Sequence, residues 1–264
     1  MILNYITWDV SPEIFKIPVL NLEIRWYGLL FATGFFMAYY LISRMFRREN
    51  IPLEVLDKLT VYVFLGTVIG ARLGHCLFYE PGYYLAHPLK ILKIWEGGLA
   101  SHGAAIGIFI SLYLFARKYK EYKLGYLLSR VTIAVPVSGA FIRMGNLMNS
   151  EIIGKPTDVS WAFIFTHVDN LPRHPTQIYE AIAYIAIFFV LQSIYNKHWK
   201  NLNQLFMFGL FLTLLFAVRI IIEFYKEVQV DFESQLPLDL GQLLSIPFVI
   251  AGLVMIWISQ KKKN

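Results

Sequence analysis

An all-α, polytopic membrane bundle of about seven transmembrane helices, N-terminus outside and C-terminus cytoplasmic, is the fold this sequence predicts. Three observations predict it. Of 264 residues, 57% are hydrophobic and 16% charged, with a mean hydropathy of +0.53, far more apolar than an average soluble domain. Apolar runs of about 20 residues, the length that crosses a bilayer, recur near 26–43, 59–79, 98–116, 124–148, 176–195, 203–225 and 242–259. The connections between these runs alternate in charge.

The segment before the first run, MILNYITWDVSPEIFKIPVL, lacks the basic start and unbroken apolar core of a cleavable signal peptide, so the first helix is expected to direct insertion. The loops after the first, third and fifth runs, with the C-terminal tail, carry Arg44, Arg47, Arg48, Lys58, Arg117, Lys118, Lys120, Lys123, Lys197, Lys200 and Lys261 to Lys263. That is about 13 basic residues against about 4 acidic ones, while the opposite face carries about 7 and about 12. The positive-inside rule puts the basic face in the cytoplasm. The net charge of +6 is therefore a topology signal and calls for no nucleic-acid partner; basic residues beside an anionic leaflet gain roughly 1 kcal/mol each. The second run holds the single cysteine, Cys76, which excludes an intramolecular disulfide and a multi-cysteine metal site and reads as a small apolar filler. The outward loops near 80–97, 149–175 and 226–241 are the longer ones, and Trp95, Trp161 and Tyr83 read as interface anchors. With no internal repeat and no connection long enough for a soluble domain, the chain is expected to form one membrane domain over 1–264.

Four arginines, Arg72, Arg130, Arg143 and Arg219, lie within apolar stretches that offer only Glu180 and Glu223 as counter-charges. Ionisable groups at membrane depth cost several kcal/mol unless paired or facing water. Two carboxylates cannot neutralise four guanidiniums, and the simplest missing partner is a membrane-borne anion such as a phospholipid headgroup, which guanidinium grips through paired hydrogen bonds. Arg130, near the inner end of its run, reads as snorkelling to cytoplasmic headgroups. The fourth run ends in IRMGNLMNSEIIGKPTD, from Ile142 to Asp158, where Arg143, Asn146 and Asn149 share a helix face and Glu151 follows. Gly145 and Gly154 let backbone or ligand approach closely. Such a segment is either a binding site or a polar helix end satisfied by its own loop.

The stretch from Arg143 to Gly154 resembles the signature of the bacterial prolipoprotein diacylglyceryl transferases, in which Gly-Arg is followed by Gly-Asn-Phe, an Asn, a Glu and a closing Gly. Ile142 stands where the first glycine is usual, Leu147 for the phenylalanine and Ser150 for a common glycine. Arg25 to Gly28, Gly97 to Gly103, Arg173 to Glu180, and a looser block from Arg219 through Glu223, Lys226 and Glu227 to Leu240–Ser245 match the same family in the same order. The resemblance implies transfer of the diacylglyceryl group of phosphatidylglycerol to the lipobox cysteine thiol of a prolipoprotein, docked through its signal peptide, with release of glycerol phosphate. It implies no metal and no cofactor, because the lipid brings its leaving group and the peptide its nucleophile.

A thiol must become a thiolate to attack, and the departing phosphate needs stabilisation as its charge grows. Arg143 and Arg219 are the candidates for that cationic clamp. His102, at the family's histidine position, is a candidate proton acceptor at neutral pH, or a histidine hydrogen-bonded between helices. Tyr27 and Asn146 are expected to position lipid or bundle. Glu151 is expected to hold Arg143 or a loop arginine, and Gly154 to line the lipid site. Asn149, His174, Glu180 and Glu223 are expected to support it, Glu180 or Glu223 balancing Arg219 or Arg72. Family members usually carry a tyrosine one turn before the arginine of the sixth run. Leu215 stands there with Phe216 beside it, so Tyr225 or Tyr179 would have to supply the hydroxyl. A transporter would call for paired Gly- or Pro-broken spans, a metal-dependent lipid phosphotransferase for clustered carboxylates, and an intramembrane protease for Gly-x-Ser-x-Gly, paired aspartates or His-Glu-x-x-His; the sequence has none of these.

Overall fold

The computed structural model describes residues 5–17, 22–94, 97–227 and 238–261. Trp95, Lys262, Lys263 and most of the 226–241 loop, all read above as interfacial or topological features, lie outside the described residues. Seven long helices follow the seven apolar runs: α1 (Trp26–Arg48), α2 (Leu53–Phe78), α4 (Ser101–Lys118), α5 (Leu124–Met148), α6 (Thr176–His198), α7 (Gln204–Glu223) and α8 (Leu240–Lys261), with a short α3 (Pro81–Ala86) after α2. Six of them are long and apolar enough to cross a membrane. α4 is the exception: it is 18 residues long and gives its two ends to Ser101-His102 and Arg117-Lys118, so its apolar stretch is shorter.

The all-α expectation needs one correction. Among the described residues there are five short strands: β1 (Ile6–Trp8), β2 (Glu13–Ile17), β3 (Leu22–Arg25), β4 (Phe163–Phe165) and β5 (Pro172–Arg173). β1 runs parallel to β4, which pairs antiparallel with β5; β2 and β3 form an antiparallel pair. Strand runs of two to five residues, all of them outside the apolar runs, leave too little period-2 pattern to compete with helix-length hydrophobicity.

The chain forms two compact units, Met1–Leu41 with Val131–Asn264, and Ile42–Arg130. In the second unit, basic Arg47 and Arg48 close the last turn of α1, where the helix dipole favours cations. Asn50 then adopts φ 56°, a left-handed stop, and Pro52 precedes the start of α2. α2 packs on α4 through small residues four apart: Gly66, Gly70 and Gly74 face Gly103, Gly107 and Ser111, and a Cβ on Gly70 or Gly107 would run into backbone of the opposite helix. Close backbone approach of this kind is how helices associate where no hydrophobic drive separates lipid from leucine.

Both embedded arginines of this unit are satisfied internally. Arg130, 5% exposed, makes a forked pair with Glu49 at 3.1–3.2 Å, while Tyr126 donates to the same carboxylate at 2.6 Å. It does not snorkel. Arg72, 3% exposed, donates to the carbonyls of Lys90, Ile91 and Gly97 at 2.6, 2.9 and 2.6 Å and lies over the ring of Tyr84. Among the described residues, carbonyl dipoles and not a carboxylate solvate its charge. Cys76 is fully buried and free.

In the first unit, α7 and α8 meet at Gly209 and Gly252. Asn203 caps α7 by accepting from the Phe206 N–H at 3.1 Å, and its amide reaches back to the Ser259 carbonyl at 3.2 Å. Ser138 of α5 donates to the Gly34 carbonyl of α1 at 2.8 Å. The β1-β4-β5 sheet covers the end of α5: Leu147, Ile153, Phe163 and Phe165 form a buried cluster with Trp8, Met144 and Ile178 against it, and the Trp8 indole donates to the Leu147 carbonyl at 3.0 Å. Leu147, in the place of a phenylalanine, thus fills a core already rich in rings.

Candidate active site

The end of α5 is fixed by a Schellman closure. The Glu151 N–H donates to the Asn146 carbonyl and the Ser150 N–H to the Leu147 carbonyl, both at 3.0 Å, which makes Ser150 the left-handed residue of the motif. Its φ is 52°, and Ile152, two residues on, has φ 57°. The place where a glycine is common is therefore one where L-residues are strained. Two side chains of α6 hold the turn: Gln177 donates to the Glu151 carbonyl at 2.7 Å and Thr176 to the Ile152 carbonyl at 3.0 Å. The segment then crosses the residues after α7, with Gly154 paired to Lys226 and the Lys155 N–H donating to the Tyr225 carbonyl at 2.8 Å. A Cβ on Gly154 would collide with His174 and the Tyr225 carbonyl, so backbone crossing accounts for this glycine.

This turn delivers Arg143, 7% exposed, to a cluster drawn from α5, α6 and α7. Its Nε lies 2.7 Å from Glu180 Oε2; the contact is a close ion pair without hydrogen-bond geometry, for that oxygen has no hydrogen-bond partner. Its Nη1 donates to Asn146 Oδ1 at 3.1 Å, and Tyr184 also bears on the guanidinium. Glu180, fully buried, receives Lys226 Nζ on Oε1 at 3.0 Å, and the same ammonium reaches Glu223 Oε2 at 3.2 Å. Arg219 lies within electrostatic reach of both Glu180 and Tyr184, yet among the described residues it has no ion pair within 4 Å. Tyr27 packs its ring on Gly145 within reach of Arg143 and Glu151.

Several expected roles change. Glu151 holds amides, not an arginine: Asn146 Nδ2 donates to it at 2.7 Å and Asn149 Nδ2 at 3.4 Å. Glu180 balances Arg143 and Lys226 by direct contact and Arg219 at longer range, and Arg72 lies on carbonyls elsewhere. Neither Tyr179 nor Tyr225 supplies the hydroxyl missing at Leu215. Tyr179 is engaged with Trp161 Nε1 at 2.8 Å and His174 Nδ1 at 3.0 Å, and Tyr225 packs on the His174 ring. Phe216 stacks on Phe248. The hydroxyl beside both arginines is that of Tyr184, one turn after Glu180 on the same face of α6, a spacing visible in the sequence. Lys226 was likewise legible only as a basic residue near Glu223.

His174 is tied into this scaffold. Trp161 donates to the Tyr179 oxygen, which is hydrogen-bonded to His174 Nδ1, and burial lowers the imidazole pKa. Outside the helices, Asp169 and Glu227 clasp Arg173, each at 2.6 Å, and the hydrogen bonds from Arg173 hold the Asp169 carboxyl below the ordinary carboxylate range. His102 belongs to the other unit: it is exposed at the first turn of α4, with its ring against Phe78 and Tyr79. The described residues give it no interhelical hydrogen bond.

The class of protein this defines is a helical membrane protein whose helix ends gather two arginines, a lysine and a buried tyrosine around one glutamate. The family model described as prolipoprotein diacylglyceryl transferase matches residues 12–258. Proteins named phosphatidylglycerol–prolipoprotein diacylglyceryl transferase are similar over nearly their whole length. That of Tolumonas auensis is 50% identical over 256 residues, 97% of this chain and 98% of its own. That of Chloroherpeton thalassium is 48% identical over 260 residues (98% and 96%), and that of Bacteroides fragilis 48% over 273 residues (98% and 97%). The chain belongs to the prolipoprotein diacylglyceryl transferase family.

Proposed function

We propose that this protein transfers the diacylglyceryl group of phosphatidylglycerol to the lipobox cysteine of prolipoproteins, the first step of lipoprotein maturation. What supports the reading most is the family match across residues 12–258. The sulfur–carbon bond forms at the glycerol carbon of the diacylglyceryl group as its carbon–oxygen bond to phosphate breaks. The thiol proton goes to a base, and the singly charged phosphodiester leaves as glycerol phosphate with one more negative charge. Arg143 and Arg219 receive that growing charge in a low-dielectric cluster, where such contacts are worth more than in water. Tyr184 and Asn146 fix the Arg143 guanidinium, Tyr27 borders the lipid headgroup, and His102 is the candidate base.

In this reading α4 is the seventh span, the basic loops and the C-terminus are cytoplasmic, and the Arg143 cluster lies toward the outer leaflet of a bacterial inner membrane. Lipid enters sideways between helices, and the signal peptide docks beside it. The test is a transfer assay with purified protein, phosphatidylglycerol labelled in its acyl chains and a lipobox peptide. Label is expected on the cysteine peptide and absent from its serine counterpart, and it is expected to be lost with Arg143→Ala. Failure of folded, lipid-bound protein to move label would refute the assignment, and a fully active His102→Gln would remove His102 as base.

A further inference from the structure

We infer that Lys226 is a positioning residue: it lets Glu180 orient Arg143 without cancelling the positive charge the anion needs. The inference rests on the proposed role of Arg143. A carboxylate that binds a guanidinium one-to-one neutralises it, and a lone Glu180 would leave the site a poor trap for phosphate. Glu180 instead divides its two oxygens, one beside Arg143 Nε at 2.7 Å and the other accepting from Lys226 at 3.0 Å. Lys226 is 3% exposed and Glu180 0%, so neither charge is dissipated in solvent.

The cluster's charges then sort by count. Among the described residues, Arg143, Arg219 and Lys226 stand against Glu180 and Glu223, which leaves one positive charge. Glu151 lies at the exposed rim on the amides of Asn146 and Asn149. A phosphodiester carries one negative charge. Of the five N–H donors of a guanidinium, Glu180, Asn146 and Tyr184 occupy at most three on Arg143, and two are what a forked grip on phosphate needs. Lys226 also has a defined anchorage, since its backbone pairs with Gly154 of the segment that follows Arg143. The ammonium and the arginine it serves are thus held by the same crossing.

The experiment is steady-state transfer from phosphatidylglycerol to a lipobox peptide by the full-length protein in detergent, with elution profile and melting temperature as checks of folding. Lys226→Met is expected to raise the KM for phosphatidylglycerol at least about tenfold, equivalent to about 1.4 kcal/mol. Lys226→Arg, which keeps the charge, should stay within about threefold of wild type, well short of the roughly tenfold expected for its loss. Adding Glu223→Gln to Lys226→Met restores the surplus charge and should recover most of the KM, which a purely structural lesion would not do. Glu180→Gln should act the other way, lowering kcat through loss of orientation while KM stays level or falls. A folded Lys226→Met with wild-type KM, or a double variant no better than the single, overturns the inference. If Lys226→Met does not fold, a raised KM in Glu180→Gln overturns it instead. An Arg143→Ala protein with full activity would sink the role of Arg143 itself, a separate failure read in the same assay.

Discussion

Replacing Ser150 by glycine should stabilise the protein, and the structure gives the terms. Ser150 sits at φ 52°, where an L-residue costs about 1–2 kcal/mol relative to the right-handed region. Its hydroxyl is buried without a hydrogen-bond partner, at a cost of about 1–3 kcal/mol. Glycine removes both and adds back about 0.5–1 kcal/mol of unfolded-chain entropy. The net expectation is a gain of at least about 1 kcal/mol, or about 2–4 °C in melting temperature for a domain of this size. Ser150→Ala separates the terms, for it removes the hydroxyl but keeps the Cβ, and it should gain less than Ser150→Gly. Thermal unfolding of the three proteins in one detergent, followed by circular dichroism, reads the order directly. A Ser150→Gly protein that melts at or below wild type would refute the reading of this helix end as a strained Schellman closure.

Four further outcomes follow from the geometry. Glu49→Gln strips the buried Arg130 of its carboxylate partner and should cost about 3–5 kcal/mol, seen as a clear drop in melting temperature. Tyr184→Phe should lower transfer activity roughly 10-fold or more with little change in melting temperature, a loss of about 1.4 kcal/mol in the transition state; unchanged kinetics would show that the hydroxyl is idle. Gly70→Leu places a side chain against the backbone of α4 and should separate α2 from α4, detectable as lost cross-linking between cysteines placed on the two helices. Asp169 titrates below its ordinary range because Arg173 donates to it, so its contribution is present above the unfolded carboxylate value and is lost as pH falls through the folded one. Asp169→Asn should therefore flatten the acid limb of the stability profile, and an unchanged acid limb would mean that the clasp with Arg173 adds nothing.

The helices were legible because a bilayer imposes length: each apolar run near 20 residues became one helix, with ends within a few residues of the expected ones. The close pairing of α2 and α4 was not read from the sequence: Gly66, Gly70 and Gly74 recur at four-residue spacing, but the pattern matters only once a second small-residue face is known to meet it. The strands were not legible. β1 and β4 pair across more than 150 residues of sequence, and three-residue runs acquire strand geometry only when a distant partner satisfies their backbone. Ser150 shows the same limit from another side. Its departure from a common glycine was visible, but the reason for that glycine needed the backbone angle.

Charge counting singled out Arg143 and Arg219 while misjudging how the embedded charges are balanced. The sequence set four embedded arginines against two glutamates and inferred a missing anion. Glu49, placed by its position in a loop on the basic side, turns inward to Arg130, and Arg72 needs no carboxylate because backbone carbonyls solvate it. Two of the four arginines therefore drop out of the imbalance. Lys226, outside the apolar runs and so omitted from the count, turns inward to Glu180 and restores a surplus within the cluster of Arg143 and Arg219. An embedded charge is costly only while its whole shell is apolar, and that shell includes carbonyls and loop residues that hydropathy cannot weigh. The surplus that survives a three-dimensional accounting is one charge instead of two, and it lies where Arg219, without an ion-pair partner among the described residues, faces the same glutamate as Arg143.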